Sequence, residues 1–83
     1  MSNQKKLVTI VVNTIERQVE KDEITFDELV KLAYDNNPPT GNEVQFVIAY
    51  HHKNGGAEGK VQPGGSVKVK DGMIFDVSAT YKS

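Results

Sequence analysis

A chain of 83 residues, 37 % hydrophobic and 25 % charged, has the composition of one soluble globular domain with a thin core. Such a volume closes one sheet-plus-helix layer pair and leaves little room for a deep catalytic cleft, which argues against an enzyme. The net charge is −1 and basic and acidic residues alternate along the chain, which argues against the basic stripe of a nucleic-acid binder, and the lack of cysteine excludes disulfides, thiol catalysis and sulfur-ligated metals.

Residues 1–6 are polar and read as a loose leader. Lys5-Lys6 ahead of Leu7 to Val12 has the outline of a signal peptide. The apolar run stops at Asn13, too short for a secretory core or a membrane span, so a cytoplasmic location without membrane contact is expected. From Leu7 to Asn13 the chain alternates as a strand, with Val8, Ile10 and Val12 on one face and Leu7, Thr9 and Val11 on the other. Asn13-Thr14 is a turn, and Ile15 to Glu20 returns as a more polar strand around Val19.

The strongest local signal comes next. Thr25-Phe26-Asp27-Glu28 is a capping box, with Ile24 and Leu29 as its hydrophobic staple and Asp27 and Glu28 at the positive end of the helix dipole. Phe26, Leu29, Val30, Leu32 and Ala33 form one apolar stripe, and Asn36-Asn37-Pro38-Pro39 closes the helix. Glu43 to His51 is a second alternating strand, with Val44, Phe46, Ile48 and Tyr50 opposed to Gln45, Val47, Ala49 and His51. Asn54-Gly55-Gly56 with Gly59, and Pro63-Gly64-Gly65, are connections, with Lys60-Val61 at most a stub of strand between them. Val67 and Val69 then precede Asp71-Gly72 and a last strand, Met73 to Thr80. If these two segments pair directly, a three-residue loop with Gly72 in the left-handed region keeps Val69 opposite Met73 and Val67 opposite Phe75.

The order strand, strand, helix, strand, short strand, strand fits an α+β fold of the β-grasp kind. A mixed sheet of four to five strands packs against one helix, and a late strand is inserted between earlier ones. The domain is expected to span 7–80, with 81–83 as a flexible tail.

Other candidate chemistry is weak. His51 and His52 are neighbours in a strand, so their rings diverge and do not share a metal. Gly55-Gly56-Ala57-Glu58-Gly59 lacks the following helix that a phosphate loop needs. The acids at Glu20 to Glu23 and at Asp27-Glu28 are explained by a solvated turn and by capping. Ser66 and Ser78 have no defensible His or Asp partner, so no catalytic residue, metal or cofactor is assigned. What remains is the open sheet face, where Leu7, Thr9, Val11, Gln45, Val47 and Ala49 either form a partner site or lie scattered or covered by the segment from Asn54 to Gly65.

Ile24-Thr25-Phe26-Asp27-Glu28-Leu29-Val30 with Leu32-Ala33, Val11-Val12-Asn13, and the run from Gly65 to Phe75 together resemble the bacterial multiubiquitin-domain family. The likeness covers roughly Leu7 to Tyr81. It implies a ubiquitin-like protein modifier joined to targets through an isopeptide-type bond. The partners it implies are a ubiquitin-activating-like enzyme, a conjugating-like enzyme and a JAB-type deconjugating peptidase, in pathways some of which are linked to antiviral defence. One departure stands out: ubiquitin-like modifiers usually end in Gly-Gly, whereas here the residues are Ala79-Thr80-Tyr81-Lys82-Ser83. Either Ser83 is itself the activated carboxylate with Thr80, Tyr81 and Lys82 as the threaded tail, or a peptidase trims the tail first, or the domain is never conjugated. Direct use of the tail is preferred, because it comes closely after the last strand. The alternative is a non-conjugated β-grasp adaptor that binds partners through its sheet face or an exposed edge strand.

Overall fold

A computed structural model describes residues 6–41, 43–56 and 58–81. The chain opens on a hairpin of β1 (Leu7–Val12) and β2 (Ile15–Glu20), in which Val12 is paired with Ile15. Asn13 and Thr14 form the connecting turn, both with positive φ (51° and 72°), the two-residue geometry whose twist suits a hairpin. A short β3 (Glu23–Thr25) leads into helix α1 (Phe26–Ala33), followed by β4 (Val44–His52), β5 (Glu58–Val61), β6 (Ser66–Lys68) and β7 (Met73–Tyr81).

The main sheet has five strands in the order β2-β1-β7-β4-β5. β7 runs parallel to β1 and antiparallel to β4, so the last strand lies in the middle of the sheet. The expectation of a mixed sheet over one helix with a late inserted strand therefore holds. This is an α+β, ubiquitin-like β-grasp fold.

The helix begins where the sequence says it does. The Thr25 side chain accepts from the Glu28 N–H at 3.1 Å, and the Glu28 carboxylate accepts from the Thr25 N–H at 2.9 Å. The Phe26 N–H, unpaired within the helix, donates to the Gly65 carbonyl at 3.0 Å. Ile24 and Leu29, the two halves of the staple, are both buried. The helix stops before the Asn-Pro run is reached. Asp35 and Asn36 adopt left-handed backbone, and the Asn36 N–H closes the last turn on the Lys31 carbonyl at 2.8 Å.

Phe26, Leu29 and Val30 meet Val8, Ile10 and Val12 of β1 and Met73, Phe75 and Val77 of β7 in one core, joined by Ile48 and Val61. Leu29, Ile10 and Phe75 are fully buried, at 0 % exposure each, and mark its centre. Arg17 ties the helix end to β2. Its Nη2 donates to the Leu32 carbonyl at 3.1 Å and to Asp35 at 2.6 Å, while its Nε is buried with no partner among the described residues.

One condition is not met and one expectation changes. The segment holding Val67 does not pair with the last strand: β6 pairs with β3 in a second, two-stranded sheet, setting Ile24 beside Val67 and Glu23 beside Lys68. Apolar and opposite-charge matching with β3 is available there, and it frees β7 to enter the main sheet. Gly72 does take a positive φ of 91°, in a turn closed by the Met73 N–H on the Lys70 carbonyl at 3.2 Å. The stub at Lys60-Val61 is a four-residue strand, which extends the sheet beside β4 and does not cover its open face. At the other end, Lys6 is tied in by its carbonyl, which accepts from the Lys21 N–H at 2.7 Å; the rest of the expected leader lies outside the described residues.

Candidate functional site

Alternation along each strand fixes what the sheet turns away from the helix. Val8, Ile10 and Val12 point inward, so Leu7, Thr9 and Val11 point outward. On β4 the outward set is Gln45, Val47, Ala49 and His51, and on β7 it is Ile74, Asp76, Ser78 and Thr80. The registers join them into rows. Val11 lies beside Ile74, Ile74 beside His51, and His51 beside Glu58; one row further, Asp76 lies beside Ala49, and Ala49 beside Lys60.

The expected partner-binding residues are thus brought together in part. Thr9, Val11 and Ala49 surround Ile74 at the middle of the face. Leu7 (60 % exposed) and Val47 (42 %) stand at opposite ends of it. By register they are roughly eight ladder steps apart, about 26 Å at the rise of an extended chain. Ile74 and Asp76 are the residues that sequence reasoning missed. The inward alternation of Met73, Phe75 and Val77 could have marked them, but only the position of β7 between β1 and β4 makes them central.

Asn13 lies beyond the end of β1 and continues its work. Its side-chain oxygen accepts from the Val77 N–H at 2.8 Å and its amide nitrogen donates to the Val77 carbonyl at 2.9 Å. The Asn13 backbone N–H donates to the Phe75 carbonyl at 3.0 Å. A primary amide offers a donor and an acceptor side by side, so this side chain stands in for one more peptide unit of the parallel ladder.

The two histidines diverge as expected. His51 lies on the open face, whereas His52 accepts the Asn54 N–H at Nδ1 (3.1 Å) and faces the Asp71 carbonyl through Nε2 (2.9 Å). The Asn54 bond leaves Nδ1 without a proton, so Nε2 carries it and donates to Asp71. Ser66 donates to Glu23 at 3.3 Å across the β3–β6 pair, a structural contact. No helix among the described residues is long and apolar enough to cross a membrane.

Of the tail residues, Thr80 and Tyr81 belong to β7 and are paired with Gln45 and Val44. Tyr81 is 65 % exposed, and the Thr80 hydroxyl donates to the Gln45 carbonyl at 3.3 Å. Lys82 and Ser83 lie outside the described residues.

The sequence profile of one family, described as multiubiquitin, matches residues 8–81. The chain belongs to the multiubiquitin family. The match runs through nearly all of β1 to the end of β7, so every element of the grasp is inside the multiubiquitin domain. No curated protein and no solved structure matches the chain.

Proposed function

We propose that this multiubiquitin-family domain is a ubiquitin-like protein modifier and not an enzyme. In this reading a C-terminal carboxylate beyond β7 is adenylated by an activating-like enzyme, passed through a conjugating-like enzyme to a target amine, and released by a JAB-type peptidase. The open sheet face around Val11, Ile74 and Ala49 docks those enzymes. The observation that supports the reading best is the course of β7. This strand is buried at Met73, Phe75 and Val77, then carries the chain out of the core to the exposed Thr80 and Tyr81. An exit of that kind offers the end of the strand to a partner without unfolding the domain.

A second reading, a non-conjugated adaptor, is favoured by one observation. Thr80 and Tyr81 are held in the ladder with β4, and a threaded tail has to give up that pairing. Incubation with a ubiquitin-activating-like enzyme and ATP, followed by intact-mass analysis, separates the two. An adenylate or thioester adduct at Ser83, or at a trimmed residue, supports the modifier. No adduct from the full-length or any shortened tail leaves the adaptor.

A further inference from the structure

Among the described residues, the outer edge of β2 is an open edge of the main sheet: β2 pairs with β1 alone, and the opposite edge strand, β5, has four residues to its six. The two-residue hairpin settles which backbone groups point outward. Val12 and Ile15 exchange hydrogen bonds across the turn, and two-residue periodicity gives Arg17 and Val19 the same inward role. The Lys21 N–H, bonded to the Lys6 carbonyl, keeps to that phase. Glu16, Gln18 and Glu20 therefore aim their N–H and C=O groups away from β1, where no backbone group among the described residues meets them.

A groove of about 530 Å³ runs along this edge. It is lined from both sides of the sheet, by Val19, Ile24 and Leu32 on the helix side and by Leu7, Gln18 and Glu20 on the open side. Its apolar floor lies beside a charged rim. Glu20, Asp22, Glu23 and Glu28 line it against one ammonium group, Lys31, and Glu16 continues the acidic row along the strand.

We propose that this edge takes an extended segment of a partner protein in which apolar and basic residues alternate. Added as a sixth strand, the segment bonds to the outward groups of Glu16, Gln18 and Glu20. Its residues facing Val19 fall on the helix side, against Val19 and Leu32, and are apolar. The residues between them fall on the open side, beside the carboxylates of Glu16 and Glu20, and are Lys or Arg. A second copy of β2 is a poor occupant. Symmetric antiparallel pairing centred on Gln18 sets Glu16 beside Glu20 twice, centring on Arg17 opposes two guanidinium groups, and centring on Val19 sets Arg17 beside Lys21 and Glu16 beside Asp22. The proposal refines the adaptor surface of the second reading, but it holds whether or not the tail is activated.

The test uses the full chain and a fluorescein-labelled peptide, Lys-Val-Lys-Val-Lys-Val-Lys, read by polarisation and by amide shifts of the protein. Saturable binding is expected, with shifts at Glu16, Gln18, Glu20 and Leu32 and weakening as salt is added. The matching Glu-Val peptide and the variant Glu16→Lys/Glu20→Lys should each bind about tenfold more weakly. Gln18→Pro removes an outward donor at an edge position that tolerates proline, and should also weaken binding by about tenfold. If the proline variant fails to fold, the charge reversal at two exposed residues decides alone. Absence of binding at millimolar peptide, equal binding of the acidic peptide, or shifts confined to Val11, Ile74 and Ala49 overturns the proposal.

Discussion

At Asn13 a single side chain holds two strands together. Its amide makes both bonds to Val77, and its own backbone takes a φ of 51° that glycine also accepts. Asn13→Gly therefore keeps the turn and removes only the amide. The loss should be about 1 to 3 kcal/mol, because the Val77 N–H and carbonyl are left partly buried without partners. A urea midpoint unchanged from the parent would show that solvent replaces the amide at no cost. Thr14 is the opposite case. A β-branched residue at a φ of 72° is strained, and the exposed side chain makes no hydrogen bond among the described residues. Thr14→Gly should raise stability by about 1 kcal/mol, and a lowered urea midpoint would show that the left-handed backbone is not under strain there.

At the scale of elements, the helix was the most legible part of the sequence. Its start depends on contacts three residues apart, and these need no knowledge of the rest of the fold. Thr25→Ala should cost about 1 kcal/mol and raise hydrogen exchange at Glu28, whose N–H loses its acceptor. Exchange at Glu28 that stays slow would mean another group caps the helix. The end of the helix was harder to place. Proline bars continuation, but the left-handed Asp35 and Asn36 end the helix earlier, and Arg17 of β2 reaches the last-turn carbonyl of Leu32 from a different part of the chain. The same limit explains β3 and β6. Each is three residues long, too short for alternation to register, and their pairing joins segments on either side of the helix and two further strands. On the open face, Thr9, Val11 and Ala49 were readable as outward positions, yet their gathering around Ile74 depends on which strand sits between them.

The whole molecule is organised around β7. It pairs with β1 from Val11 to Ile74 across most of the sequence, and it buries Met73, Phe75 and Val77 in the core. Contacts so far apart close late and at an entropic cost, so folding should take milliseconds to seconds, slower than a helical bundle of equal size. A stopped-flow refolding time in microseconds would contradict this. Truncation after Asp71 should abolish cooperative unfolding altogether, since β1 and β4 are then separated by an unfilled gap.

The central place of β7 also bears on synthesis. A ribosome releases β1, β2, the helix and β4 before it makes the strand that joins them. Until β7 clears the exit tunnel, the nascent chain shows the facing edges of β1 and β4 and the apolar side of the helix to its surroundings. Premature termination upstream of Met73 leaves a polypeptide with its intended interior uncovered, a substrate for chaperones and proteases.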